Sequence, residues 1–488
     1  MTMAEMRLPF LFVMYAVLLF YILLHGPQLV LLLVSFYRGW QARRGSPLNT
    51  SDLLFDYSSV APPVTVLAPA YNEEAGIVDS VNSLLALEYP RLEVIVINDG
   101  SKDGTLAAMK RSFALRKADI LPYSVARSKP VRAVYVSRLH PNLIVLDKDN
   151  GGKSDALNAG LNFSRTPWVC CVDSDSVLEP DALLRALRPA LEDNTVVVSS
   201  GIVRIANGCH IAGGRVLTVA LPPQKLARFQ AVEYLQDFLA GRMGWSAWNG
   251  LLIVSGAFGV FRADSLRAIG GYSRDTVTED MELIVRIHRY HRERGEPYRV
   301  VFVPDPVCWT EVPVTLASLR RQRRRWHRGL MEVLALHRGC FFRPSAGVIG
   351  SLVLPYFSML LVAPLAEMLG YALVPVGLWM GWVSRDTALL YLFLTLLLGT
   401  AFSTCAVLLE EITYHRYASL RDLATLFIFA VAQHLGYQQM ISWWRLEGLY
   451  EYFRGRRHWG EQKRVGFQGR ASIAPAAPSP ASKSVVAR

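Results

Sequence analysis

Asp173-Ser174-Asp175 closes the apolar run Trp168-Val169-Cys170-Cys171-Val172, which reads as a buried strand. Alternation along an extended chain puts Asp173 and Asp175 on one side. Two carboxylates so placed repel each other unless a cation lies between them. Mg2+ or Mn2+ suits the pair, because either ion accepts few protein oxygens and shares its remaining positions with phosphate. The competing reading is a solvated loop that caps the next helix.

Four further clusters carry residues able to do chemistry. Tyr71-Asn72-Glu73-Glu74 follows the strand-like residues 63–70, and Asn98-Asp99-Gly100-Ser101 follows residues 92–97. Open α/β sheets bind ligands beyond the carboxyl ends of their strands, where both clusters fall. Taken alone, the second is equally a glycine turn with Asp99 as a helix cap. Asp149-Asn150-Gly151-Gly152-Lys153-Ser154-Asp155 precedes a helix expected to begin near Ala156. Its glycine amides could cradle a phosphate with Lys153 as the point charge, or simply turn the chain. The spacing of an ATP-hydrolysing loop is absent.

Thr278-Glu279-Asp280 opens an expected helix from Met281 to about His291. Transfer to a hydroxyl needs a base, and one of these carboxylates is the natural choice. Otherwise they are an acidic first turn complementing the helix dipole. Gln322-Arg323-Arg324-Arg325-Trp326 lies on a basic helix, where Gln322 and Trp326 share a face at i,i+4 with Arg325 beside them. A cation there stabilises a leaving diphosphate, and an indole face stacks on a sugar ring. The plain alternative puts Trp326 among lipid headgroups and the arginines on anionic lipid.

The elements that must position these residues alternate strand and helix from Val64 to about Pro344, within an expected cytosolic domain at 38–344. Apolar sequence brackets it. Residues 8–37 are long enough to cross the ~30 Å hydrocarbon core and lack a cleavage site, so they read as a retained anchor. Arg38, Arg43 and Arg44 follow, which by the positive-inside rule places the large domain in the cytoplasm. Residues 348–383, 387–409 and 423–444 read as spans. The first holds Pro355, Pro364 and Pro375 and is too long for one ordinary span and barely long enough for two. The region 348–444 therefore has three or four spans, and the basic segment 445–464 favours four by staying inside. The tail, 465–488, is rich in Ala, Ser and Pro and is expected to be disordered.

A chain of 488 residues that is 52% apolar accommodates a large core plus membrane segments. Its net charge of +12 gathers as arginines beside the apolar runs, which fits the anionic lipid of an inner leaflet and excludes nucleic acid. The six cysteines show no CxxC pair and no ligand-like Cys/His spacing, so reduced, buried thiols are expected instead of disulfides or zinc.

With these clusters in this order, the chain from Ala61 to the last span resembles the processive, membrane-integrated family 2 glycosyltransferases. Members include synthases of cellulose, hyaluronan, chitin oligomers and poly-β-1,6-N-acetylglucosamine. The resemblance implies an α/β nucleotide-sugar-binding domain of the GT-A-like kind, combined with an α-helical transmembrane region. By position it implies Tyr71, Glu73 and Asp99 as the uridine pocket and Lys153 as a contact to the nucleotide portion. Asp173 corresponds to the first donor-site carboxylate and Asp175 to the metal ligand. Asp280 corresponds to the general base with Glu279 beside it. Gln322, Arg325 and Trp326 correspond to the motif that covers the diphosphate and helps form the acceptor site.

The function so implied is inverting β-transfer from a UDP-sugar, UDP-N-acetylglucosamine by preference, with Mg2+ or Mn2+. The product would be an exopolysaccharide translocated across a bacterial inner membrane. The growing polysaccharide, anionic lipids and a small membrane or periplasmic export subunit are the expected partners. The alternatives are a UDP-glucose-dependent β-glucan synthase, single transfer to a lipid-linked acceptor, and an inactive scaffold. The last has no use for both a metal ligand and a base. Two departures point away from cellulose: Ser255-Gly256-Ala257-Phe258-Gly259 lacks the Phe-Phe-Cys-Gly signature, and no cyclic-dinucleotide-binding domain is expected after the last span. A polar polymer cannot cross hydrocarbon with its hydroxyls unpaired. A protein-lined passage is therefore expected beside Trp326, with Tyr371, Gln433, Tyr437 and Gln438 as polar contributors. Ordinary interhelical hydrogen bonding is the alternative for each.

Overall fold

The computed structural model describes residues 3–44, 57, 59–417 and 419–455. The end of the basic segment and the whole of the expected disordered tail lie outside the described residues.

The apolar runs become the centre of one mixed sheet. Its strands are β1 (Val64–Ala70), β2 (Leu92–Asn98), β3 (Leu115–Ala118), β4 (Val131–Ser137), β5 (Leu143–Lys148), β6 (Trp168–Val172), β7 (Ser176–Leu178) and β8 (Val196–Ile205), followed after a small hairpin, β9 (His210–Ala212) and β10 (Arg215–Thr218), by β11 (Phe258–Arg262) and β12 (Arg299–Thr310). Across the sheet the order is β3-β4-β5-β2-β1-β6-β11-β8-β12-β7. β6 and β8 are buried at every position and β1 at all but one, which is why they read as unbroken apolar runs instead of alternating ones.

Register decides what meets at the edge. β1 runs parallel to β2 and β6, and β2 parallel to β5, with Ala70 opposite Asn98 and Asn98 opposite Asp147. β11 runs antiparallel to β6, with Phe258 opposite Val172, so residues 255–257 enter where Asp173 leaves. Five polar segments thus converge on one edge. The helix after β5 spans Lys153–Phe163, starting three residues earlier than the sequence suggested, and the acidic-start helix spans Glu279–Glu293. The basic helix is Leu316–Leu336, capped by Thr315, whose Oγ1 accepts from the Ser318 amide at 3.3 Å.

Three helices among the described residues are long and apolar enough to cross a membrane: Met6–Gln41, Ile349–Trp379 and Arg385–Thr413. Residues 348–383 do not form a hairpin. A π-helical turn, Ile349–Val353, leads into one helix, Leu354–Trp379. Pro355 falls in the first turn of that helix, where its missing N–H is harmless, and Pro364 and Pro375 are carried inside it. The expected last span, 423–444, is two pieces, Leu420–Ala432 and Tyr437–Phe453. The first piece, 13 residues at 1.5 Å per residue, reaches about 20 Å and falls short of the hydrocarbon core. The break falls at Gly436, which takes φ +103°. Beside it the Gln433 side-chain amide donates to Ser403 Oγ (2.5 Å) and Gln236 Oε1 (3.3 Å). Among the described residues, two membrane-length helices lie beyond the sheet domain, beside the two shorter pieces that occupy the expected last span.

The sheet domain and these helices share one core, to which Leu24, Leu31 and Leu32 of the first helix belong. Ser35 Oγ donates to the Ala240 carbonyl at 2.7 Å. Arg204 on β8 and Glu410 on the Arg385–Thr413 helix form a buried ion pair at 2.6 Å.

Candidate active site

A cavity of about 1810 Å3 opens at the edge where the polar segments meet. Its walls include all eleven residues singled out from sequence: Tyr71, Glu73, Asp99, Lys153, Asp173, Asp175, Glu279, Asp280, Gln322, Arg325 and Trp326.

Lys153 is the hub. Its Nζ lies 2.5 Å from Asp173 Oδ1 and 3.8 Å from Glu279 Oε1, and it donates to the Gly256 carbonyl at 3.4 Å. Burial works against the ammonium, but Asp173, Glu279 and Asp280 outweigh it and hold Lys153 above the ordinary lysine range. Glu279 is shifted upward by burial first, with Lys153 opposing and Asp280 adding to the rise. Asp280 Oδ2 accepts from the Gly256 amide at 3.2 Å, and its Oδ1 from the Met281 amide at 2.8 Å. A Cβ on Gly256 would come within 2.7 Å of Lys153 Nζ, so the glycine is what lets the ammonium reach this cluster. The stretch 255–259, read from sequence only as a family signature, is thus part of the site itself.

The glycine amides expected to cradle a phosphate are already engaged. Gly151 N and Gly152 N donate to Asp99 Oδ1 and Oδ2 at 3.0 and 2.8 Å. Asn150 Nδ2 donates to the Asp99 carbonyl at 2.8 Å, and Lys148 Nζ to Asp99 Oδ1 at 2.6 Å. Lys148, wholly buried, also meets Asp155 at 2.7 Å. Asp99 therefore clamps the loop that presents Lys153. Lys148 escaped sequence reasoning because one lysine at a strand end has no spacing to flag it.

On the opposite side, Ser174 Oγ donates to Glu73 Oε1 at 3.1 Å, joining the Asp173–Asp175 turn to the loop after β1. Among the described residues no three His, Cys, Asp or Glu side chains gather as a complete metal cage. The donor set on offer is two carboxylates on a cavity wall. That suits Mg2+ or Mn2+ when phosphate and water oxygens complete the shell, and it does not suit zinc.

The basic helix forms the roof. Gln322 Oε1 is buried without a partner among the described residues, an acceptor left over for a ligand's donor. The Arg323 guanidinium lies over the Trp326 ring at 4.6 Å, and Phe238 stands 6.5 Å away on another side. Arg242, equally invisible in the sequence, lines the same wall 4.1 Å above the Phe238 ring. Burial lowers its pKa to about 10, against the pull of Asp280, Asp237 and Tyr234.

Past Trp326 the cavity continues between the membrane helices, where Tyr21, His25, Glu367, Tyr371, Phe402 and Gln438 line it. Tyr371 and Gln438 stand where the sequence placed them, and Tyr371 Oη accepts from Gln439 Nε2 at 2.8 Å. Gln433 and Tyr437 do not line it. Gln433 is spent on Ser403 and Gln236, and Tyr437 Oη donates to Glu233 Oε2 at 2.8 Å.

Comparison with known proteins agrees with this geometry. Residues 65–213 match glycosyl transferase family 2, and residues 168–404 match glycosyl transferase family group 2. The chain is similar to the poly-beta-1,6-N-acetyl-D-glucosamine synthase of Staphylococcus epidermidis strain ATCC 35984, at 27% identity over 288 residues, 59% of each chain. It is similar to the synthase of the same name from Staphylococcus aureus strain COL, at 28% over 272 residues, 56% of this chain and 55% of that one. The match spans less than two thirds of these relatives' length. Among solved structures, the mannosyltransferase PcManGT from Pyrobaculum calidifontis, in complex with GDP-Man and Mn2+, is similar with a TM-score of 0.50 at 19% identity, covering 87% of this chain and 99% of that one. The fold is GT-A-like: a mixed α/β sheet with a Rossmann-like core.

Proposed function

The chain belongs to the family 2 glycosyltransferases, and from that premise we propose that it polymerises a UDP-sugar into a β-linked exopolysaccharide and passes the product through its own membrane helices. UDP-N-acetylglucosamine is the donor that the named relatives support, with a β-1,6-linked polymer as the product. The observation that carries the reading is the continuity of one cavity, from the Lys153–Asp173–Asp280 cluster past Trp326 to Glu367 and Tyr371 between membrane-length helices. The polar groups along the second half, Glu367, Tyr371 and Gln438, suit a sugar chain better than the apolar tail of a lipid-linked acceptor.

In this reading Tyr71 and Glu73 face the nucleoside, while Asp99 acts through the loop it clamps. Asp175, with Asp173, would hold a divalent ion, Mg2+ or Mn2+. When bound, that ion neutralises charge on the leaving diphosphate. Lys153 and Arg325 add fixed positive charge along the same wall, and Gln322 offers its unpaired oxygen. Trp326 stacks the acceptor sugar. Asp280 takes the proton from the acceptor hydroxyl as that oxygen attacks the anomeric carbon from the face opposite UDP, which inverts α to β. The sheet domain lies on the cytoplasmic side of a bacterial inner membrane, set by the arginines after the first helix. The growing chain, anionic lipid and a small export subunit are the proposed partners.

Purified protein in sealed vesicles, supplied with one UDP-sugar at a time, tests this. UDP release and a β-linked N-acetylglucosamine polymer inside the vesicles are expected from UDP-N-acetylglucosamine alone. A glucan from UDP-glucose, or single sugars added to lipid, would overturn it.

A further inference from the structure

Three elements around Trp326 meet at one buried carboxylate. Glu233, on the Lys225–Tyr234 helix, is only 5% exposed. Its Oε2 accepts from Arg323 on the basic helix at 2.6 Å and from Tyr437 Oη, at the start of the last helix, at 2.8 Å. Phe229, one turn before Glu233, stacks on the Tyr437 ring with centroids 4.6 Å apart and planes 14° from parallel. Tyr437 is also the first residue after the Gly436 break, so this contact anchors the start of the last helix.

Burying an arginine is costly unless a carboxylate meets it in good geometry. A guanidinium held at its edge by a carboxylate keeps its flat face for an aromatic ring, which an ammonium cannot offer. Arg323 is in that state: its edge is on Glu233 and its face is on Trp326. The seat of the indole is therefore set by a residue that does not itself touch the ring's ligand side.

We propose that Glu233 is a positioning residue for the acceptor, holding Trp326 through Arg323 and the last helix through Tyr437, so that the acceptor platform and the mouth of the membrane passage keep one fixed spacing. This rests on the elongating-glycosyltransferase reading. Each sugar addition must return the chain end to the same distance from the donor. A platform and a passage that moved independently would lose the chain between cycles.

The test uses the full-length protein in detergent and in vesicles, with two variants that preserve the fold's main contacts. Tyr437→Phe removes one hydroxyl and keeps both the Phe229 stack and the Glu233–Arg323 pair. Arg323→Lys keeps the charge and loses the planar face. Transfer from UDP-N-acetylglucosamine to a soluble N-acetylglucosamine oligosaccharide gives an acceptor KM whether or not polymer forms. Expected for both variants is an acceptor KM raised about tenfold, what a lost buried hydrogen bond to a charged group gives, with donor KM within about twofold of the unmutated value. In vesicles the variants yield shorter polymer. Unchanged acceptor KM and product length overturn the role of Glu233, as do donor and acceptor KM rising together. If the unmutated protein makes no polymer while the KM split persists, the elongation reading fails and the positioning role stands.

Discussion

Lys153 Nζ lies 2.5 Å from Asp173 Oδ1, and this one contact joins the helix after β5 to the end of β6. Neither side chain is fully buried; each keeps about a quarter of its surface toward the cavity. The lysine therefore restrains Asp173, the proposed donor-site carboxylate, while staying within reach of an incoming anion. Lys153→Met should raise donor KM by about tenfold or more, because Asp173, Glu279 and Asp280 then crowd one another without a counter-charge. Steady-state UDP release across donor concentrations reads this, and an unchanged KM would remove the lysine from the donor site.

Asp175→Ala should abolish transfer while membrane insertion stays intact, since a divalent ion would lose a protein ligand beside the leaving diphosphate. The companion experiment is chelation of the unmutated protein, which should give the same loss and recover with Mg2+ or Mn2+. Full activity in chelator would sink the metal assignment.

For Asp280, substitution by Asn keeps the shape but removes basicity, and leaves one oxygen to accept where the Gly256 and Met281 amides both donate. Turnover should fall by a factor on the order of 10²–10⁴ with donor affinity retained. Calorimetric binding of UDP-sugar alongside rate measurement separates the two. Lost binding with normal turnover of bound donor would assign Asp280 a structural part only.

Glu279 gives the pH dependence. Burial raises its pKa, so the folded state holds the proton more tightly than an unfolded chain does. The stability it contributes is full below the ordinary glutamate value of 4.5 and is lost as pH rises through the raised one. For activity, proton uptake removes the charge facing Lys153 and Asp280, so the rate should fall as pH drops through that raised value. Glu279→Gln holds the uncharged state at every pH, so its rate should sit at the reduced level throughout and lose this acid limb. An acid limb identical in both proteins would clear Glu279 of this role.

Much of the site was legible because its residues follow apolar runs that could only be central strands. Parallel pairing then forces Tyr71, Asp99, Lys153 and Asp173 to one edge whatever the loops do. The antiparallel strand β11, which brings Gly256 to Lys153, has no such local signature. Neither have the buried partners Lys148 and Glu233, since each owes its role to a residue dozens of positions away. The interruption of the 423–444 run was hidden for a related reason. Hydropathy counts apolar residues and is blind to where a backbone turns, so the break at Gly436 was hidden inside a run that looked continuous. Gln433, His434 and Gly436, gathered within four residues, were the available signal.

Arg204 and Glu410 have a practical consequence for anyone who would detach the catalytic sheet from its membrane helices. Each is almost wholly enclosed, and each is the other's counter-charge. A truncated fragment would carry Arg204 without its counter-charge. It would also bare the surface on which Leu31 and Leu32 pack. The sheet is thus not a removable cartridge. Exchange of catalytic domains between such proteins should succeed only when the matching membrane helix travels with them.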